Sequence, residues 1–433
     1  MTGLLNKAHM QLASGMFWST VGAVVSRLVN FALMIWVARE LGSGRFGQLG
    51  AVQSSVGLFG LFAGAALGNA ATRFVAKSLN IAPRDTHGYL SLIRRFSFTV
   101  IALITALFLG SASFIGTVIF RNESIASALL VGAALMVATV LKGVQMGVLA
   151  GFGRFRAIAT VHVVEAILAV PLVFVLARAA GVNGVIGGLT VAAAVAYSLA
   201  LLLGRRDLAG AKQASNGALG RDKAKDLLSY TVPTFLGDLV ATPTLWFCVA
   251  LLARSEHGLE GLGQYNAAYQ WHGPLMFIPA TMMSAATPTL VQQWELGNSR
   301  EFMRITGLLC VAMILISLPP LLVAIMFKEQ INLFYGPSYD GIGLMVVLLI
   351  LAAPLHGISK VAATSLQAMG RSWYLLSTNF LYSMTVGVVA FSAIPALGGL
   401  GLCIALVAAY FFNASLNVVG VLKAAGHNNR SQI

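Results

Sequence analysis

Charge is what this chain has least of. Of its 433 residues only 14 are acidic, and Asp, Glu, Lys and Arg together make up 10% of the sequence, against about 25% in a soluble domain. With 58% hydrophobic residues and a mean hydropathy of +0.83, the chain reads as an integral membrane protein. Cysteine is equally scarce. Cys248, Cys310 and Cys403 stand singly in apolar stretches, without the paired spacing or histidine neighbours of a disulfide framework or a metal site. No phosphate loop of the GxxxxGK[ST] type occurs, so ATP hydrolysis by the chain itself is excluded, and neither a cofactor nor a metal is expected. The first apolar stretch, Ser14 to Ala38, is too long for a signal-peptide core and lacks a clear cleavage site, so it reads as a retained helix.

What the chain has in excess is apolar runs and basic charge. Runs near or above the ~20 residues needed to span a bilayer lie at 14–38, 46–70, 96–120, 126–150, 155–177 and 184–204, and again at 228–253, 263–292, 303–326, 342–366, 374–394 and 399–422. These are twelve spans. The segment ahead of them, with Leu4, Leu5, Lys7, Met10 and Leu12, is expected along the membrane surface. The most polar stretch, Arg205 to Asp226, separates the sixth run from the seventh. It divides the chain into an N-terminal lobe (1–204), a cytoplasmic linker (205–227) and a C-terminal lobe (228–433). The net charge of +14 would point to nucleic acid in a soluble protein. Here the basic residues sit in short loops between apolar runs, as topology signals do, and a nucleic-acid partner is excluded. With the N-terminus inside, 19 of the 28 lysines and arginines fall on the cytoplasmic side and six outside, which places both termini in the cytoplasm.

The halves repeat each other. Phe46-Gly47-Gln48-Leu49 answers to Leu262-Gly263-Gln264-Tyr265 at an offset of 216, Gly153-Arg154 to Gly370-Arg371 at 217, and Gly181 and Gly184 to Gly398 and Gly401. Six helices per half give both halves one orientation, so the repeat is parallel, a pseudo-two-fold about the membrane normal with substrate between the lobes. The predicted fold class is thus an all-α polytopic membrane protein, twelve transmembrane helices in two six-helix lobes. Glycines at Gly60-Gly64-Gly68 and Gly143-Gly147-Gly151 put small residues on one helix face for packing. Ten of the twelve prolines follow the linker, where they serve as static kinks or as parts of a moving gate.

Charges inside spans cost at least ~2.5 kcal/mol each and are functional candidates. Two polar stripes at helical spacing, Thr139-Lys142-Gln145 and His356-Lys360-Thr364, occupy corresponding places in the halves. Arg27, with Asn30 one turn on, lies in the middle of the first span. Together Arg27, Lys142 and Lys360 are expected to line a cationic cleft that attracts an acidic group. The alternatives are a buried pair for Arg27 with an acid such as Asp238, and snorkelling for the lysines. Asp238 and Glu165 are candidates for ion coupling, since desolvation raises a carboxylate's pKa toward the working range, or else charge partners of the basic residues. His356, like His272, is either a hydrogen-bonded packing residue or a proton carrier. Tyr269, with Tyr265 and Asn266, either contacts substrate or packs.

The stretch Trp36-Val37-Ala38-Arg39-Glu40-Leu41-Gly42-Ser43-Gly44-Arg45-Phe46-Gly47-Gln48-Leu49-Gly50 resembles the first hairpin of bacterial oligosaccharide-lipid flippases of the multidrug/oligosaccharidyl-lipid/polysaccharide exporter superfamily. The Gly-Arg steps after the fourth and tenth spans look like the same family's pattern. That resemblance implies a V-shaped pair of bundles with alternating access. The implied cargo is a polyprenyl-pyrophosphate-linked oligosaccharide, moved from the cytoplasmic to the outer leaflet for surface polysaccharide. The lipid II flippases of that superfamily carry two further helices, which argues against a peptidoglycan precursor. The expected setting is the cell inner membrane, as a monomer working beside a polysaccharide polymerase and chain-length machinery. Two alternatives compete. A multidrug/cation antiporter of the same superfamily should favour an acidic cavity, whereas the mid-span charges here are three basic against two acidic. A polysaccharide polymerase or ligase typically needs a larger outside loop than the one at 327–341.

Overall fold

The computed structural model describes residues 2–81, 85–213 and 241–430, and among these all regular structure is helical. Apolar runs without side-chain partners for their backbone satisfy it internally, which in lipid leaves the helix as the open choice. The helices are α1 (Thr2–Gly60), α2 (Ala66–Ile81), α3 (Thr86–Ser113), α4 (Glu123–Gly151), α5 (Phe155–Gln213) and α6 (Ala241–Arg254). Then follow α7 (Gly258–Glu295), α8 (Ser299–Met326), α9 (Lys328–Tyr335), α10 (Ile342–Ala368), α11 (Ser372–Leu397) and α12 (Gly399–Arg430). A π-helical turn, Leu61–Ala65, joins α1 to α2, and another, Phe114–Ile119, extends α3.

Nine helices among the described residues are long and apolar enough to cross a membrane. Two of them are double: α1 breaks at Gly42 (φ 73°, ψ 168°) and α5 at Ala180 and Gly181. Counting both halves of each, together with the shorter apolar α6, gives the twelve crossings that the sequence predicts. Residues 228–240, the expected start of the seventh span, lie outside the described residues. The chain begins its first helix at Thr2 rather than at a separate surface segment, and 205–213, expected in the linker, continue α5. The rest of that linker lies outside the described residues.

The internal repeat is visible in the backbone. Gly153 and Gly370 adopt φ 69° and 73°, and the following arginines donate their backbone N–H to Leu149 and Leu366 carbonyls, each at 2.9 Å. Both Gly-Arg steps are therefore helix stops of Schellman type, in which a left-handed glycine lets the chain cap the last carbonyls. Gly181 (φ 56°, ψ −129°) and Gly398 (φ 54°, ψ −128°) turn alike. A Cβ at Gly184 or Gly401 would meet the carbonyl eight residues earlier, on Leu176 or Ala393.

Packing divides the chain into two compact units. One comprises Met1–Val37 and Ala51–Leu239, the other Ala38–Gly50 and Val240–Ile433. In the first, α4 packs against α2, α3 and α5. A methyl on Gly147 would lie 2.2 Å from the Gly68 carbonyl, and Thr72 Oγ1 donates to the Gly147 carbonyl at 3.1 Å. The small-residue faces thus let two helix backbones touch within the unit. In the second unit α10 is the inner helix, against α7, α8 and α12. Residues 38–50 pack in this second unit for a specific reason. A Cβ on Gly47 would lie 1.9 Å from the Leu259 carbonyl oxygen, and one on Gly263 would lie 1.8 Å from that of Ser43. The two glycines stand at the repeat offset and form a reciprocal close contact. Tyr339 Oη fastens the same segment by donating to the Ala38 carbonyl at 2.8 Å.

Candidate functional site

In the first unit the charged side chains converge on α4 and α5. Lys142 Nζ donates to Glu165 Oε1 at 2.5 Å, with side chains 17% and 18% exposed. Pairing spares each the cost of a lone charge at membrane depth. His162, one turn before Glu165, lies within electrostatic reach of Lys142, Glu165 and Arg27. The first helix comes close because Gly22 has no side chain, and a Cβ there would stand 2.8 Å from Ala159 Cβ. Lys142 and Glu165 thus form an ion pair beside His162, which also lies within electrostatic reach of Arg27. Asn30 is half-buried a turn beyond Arg27. Asp238 lies outside the described residues. Gln145, on the Lys142 stripe, turns instead toward α5, where its Nε2 donates to the Ala200 carbonyl at 3.5 Å. Thr139 donates back to the Leu135 carbonyl at 2.8 Å.

In the second unit the polar site is a stack of rings. Tyr265 and Tyr269 stack at 5.7 Å, Tyr269 and His272 at 5.6 Å, His272 and His356 at 5.6 Å, and His356 and Tyr410 at 4.3 Å, with Tyr382 against Tyr410 at 5.2 Å. The hydrogen bonds order the histidine protons. His272 Nδ1 faces the Leu349 carbonyl at 3.0 Å, and a carbonyl only accepts, so Nδ1 carries the hydrogen. In a neutral ring His272 Nε2 is then an acceptor, and its partner at 3.3 Å, His356 Nδ1, donates to it. His356 Nε2 is left as the acceptor at the end of this relay. Lys360 follows His356 by one turn of α10, is exposed, and has its carbonyl bonded by Thr364 Oγ1 at 3.0 Å.

Beneath the stack a buried amide network ties α10, α11 and α12. Ser359 donates to Asn413, whose Nδ2 donates to the Thr378 carbonyl at 3.0 Å, while Asn417 Nδ2 donates to Ser359 Oγ at 3.2 Å. Tyr410, Asn413 and Asn417 repeat the helical spacing of the lysine stripes but carry no charge, so an argument from the cost of charge does not reach them. The Gly-Arg steps differ in their partners. Arg154 makes a bidentate pair with Asp207, at 2.9 and 2.6 Å, and this carboxylate shifts the guanidinium pKa upward.

Residues 12–294 match the family model described as "Polysaccharide biosynthesis protein". The chain is 25% identical, over 86% of its length and 84% of the relative's, to the EPS I polysaccharide export inner membrane protein EpsE of Ralstonia nicotianae. The corresponding protein of Ralstonia solanacearum is 24% identical over 90% of this chain and 88% of its own. Among solved structures, an inward-facing multidrug resistance transporter of the MATE family superposes with a TM-score of 0.79 at 16% identity, covering 94% of this chain and 96% of that one. The lipid II flippase MurJ in an inward closed conformation superposes at 0.71 and 13% identity, covering 94% and 88%. These two likenesses show the fold. Because the family model covers more than half of the chain, the protein belongs to the polysaccharide biosynthesis protein family.

Proposed function

We propose that the chain flips a polyprenyl-pyrophosphate-linked oligosaccharide from the cytoplasmic to the outer leaflet of the inner membrane, by alternating access and with both termini in the cytoplasm. The observation that carries this is Lys360 one turn of α10 beyond His356, the ring at the centre of the Tyr269–His272–His356–Tyr410 stack. A cation at membrane depth suits a pyrophosphate, and flat rings beside it suit the apolar faces of sugars, with Tyr hydroxyls for their polar edges. The first unit supplies Lys142 and Arg27. There Glu165 holds Lys142 in the absence of cargo, and an incoming phosphate oxygen replaces the carboxylate. Polyprenyl, being wholly apolar, stays in lipid. The EpsE relatives, named for polysaccharide export, support the same reading.

Complementation of a deletion strain tests it. Lys360→Ala and Arg27→Ala are each expected to abolish surface polysaccharide while the protein persists in the membrane, and Arg27→Lys to restore part of it, since charge is kept and the bidentate fork lost. Wild-type polysaccharide with both alanine variants would sink the cationic mechanism.

A further inference from the structure

The first unit holds a second polar feature that the Lys142–Glu165 cluster does not use. A cavity of about 430 Å³, in the size range of small-ligand sites, lies against α3, α4 and the second half of α5. His87, Ser91, Arg94 and Ser97 line it from α3, at spacings that put them along one side. The facing walls are largely apolar, with Val144 and Val148 from α4 and Leu201 and Leu208 from α5. None of the lining residues is acidic. The cavity is therefore cationic at one margin and greasy along its length, the profile of an amphiphile with an anionic head.

One atom calls for a ligand. Ser97 is 3% exposed and lines the cavity, yet its hydroxyl has no hydrogen-bond partner. A buried polar group left without a hydrogen bond is costly, so an acceptor on a bound molecule is favoured there. Ser97 lies three residues beyond Arg94, about 4.5 Å along the helix axis. An anionic head held at Arg94 thus places the next linkage of the same molecule at Ser97. We propose that this cavity binds one glycerophospholipid with an anionic headgroup, its phosphate at Arg94 and an ester carbonyl accepting from Ser97 Oγ. The site is independent of the cargo reading above, and a polyprenyl phosphate, which has no ester carbonyl, lacks the second contact.

Native mass spectrometry of the purified full-length protein tests this, with phosphatidylglycerol, phosphatidylcholine or decaprenyl phosphate added to delipidated micelles. Phosphatidylglycerol is expected to bind to wild type at one copy above the background of phosphatidylcholine. Arg94→Gln should lower its occupancy about tenfold, the loss expected for a hydrogen bond to a charged group. Ser97→Ala should lower it by a smaller factor and leave decaprenyl phosphate binding unchanged. Arg94 is exposed, so its variant is expected to fold, and an unchanged melting midpoint checks this. Equal binding of phosphatidylcholine and phosphatidylglycerol, or phosphatidylglycerol binding insensitive to Arg94→Gln, would overturn the site. Decaprenyl phosphate outcompeting phosphatidylglycerol would overturn the choice of a glycerophospholipid.

Discussion

A proton sits in a definite place in the second unit. Because His272 Nδ1 faces a carbonyl and its Nε2 faces His356 Nδ1, two neutral rings must both carry their hydrogen on Nδ1. Selective ¹⁵N labelling should show both histidines with a protonated Nδ1 and a bare Nε2 at neutral pH. A bare Nδ1 on either ring would contradict the relay. The ion pair of the first unit makes a different demand. Lys142→Met alone leaves Glu165 without its partner at a site where both side chains are under one-fifth exposed, and a loss of ~3 kcal/mol, the lower end of the scale for breaking a buried pair, is expected. The double variant Lys142→Met/Glu165→Leu is expected to recover most of that loss, read as the thermal unfolding midpoint in detergent. An additive double variant would show that the two charges do not stabilise one another. At this scale the sequence makes Lys142, Lys360 and Arg27 conspicuous because a charge among apolar neighbours has a calculable cost. It hides the His272–His356–Tyr410 stack, since rings on three helices read as packing until the fold brings them face to face.

At the scale of elements, glycine decides where helices touch and where they stop. Gly47 and Gly263 each leave less than 2 Å between an added Cβ and a backbone oxygen, so Gly47→Ala or Gly263→Ala must push two backbones apart. We expect either variant to cost ~3 kcal/mol or more, in the range of severe overpacking. Gly273, on the same helix as Gly263, has nothing within 4 Å of its would-be Cβ. Gly273→Ala is accordingly expected to be neutral or to stabilise by up to ~1 kcal/mol. Comparable unfolding midpoints for all three would contradict the close contact. Helix number was legible in the apolar runs, and the breaks at Gly42 and Gly181 in their flanking glycines. The π turns at Leu61–Ala65 and Phe114–Ile119 were not, because one extra residue in a helical turn leaves the hydrophobic pattern almost unaltered.

For the whole molecule, the repeat is both the most legible feature and the one with the most physical content. A turn at Gly181 and Gly398, a stop at Gly153 and Gly370, and a close contact at Gly47 and Gly263 recur at 216 or 217 residues, each where only glycine is free of strain or clash. The grouping of 38–50 with the second unit is not readable from any run of sequence, since it depends on which backbone a glycine meets. What the two units share chemically is a basic side chain at membrane depth beside polar partners, Lys142 in one and Lys360 in the other. In the proposed function, transport of an anionic lipid-linked sugar rests on that element, and reconstitution addresses it directly. Purified protein is placed in liposomes carrying a polyprenyl-pyrophosphate-linked oligosaccharide, and the fraction of sugar reachable by an impermeant glycosidase outside is followed in time. The account predicts that wild type exposes the inner-leaflet pool, and that Lys360→Ala, equally incorporated, does so at least about tenfold more slowly, as expected for losing one charge-assisted contact. Exposure by Lys360→Ala at the wild-type rate, or none by wild type above protein-free liposomes, would contradict it.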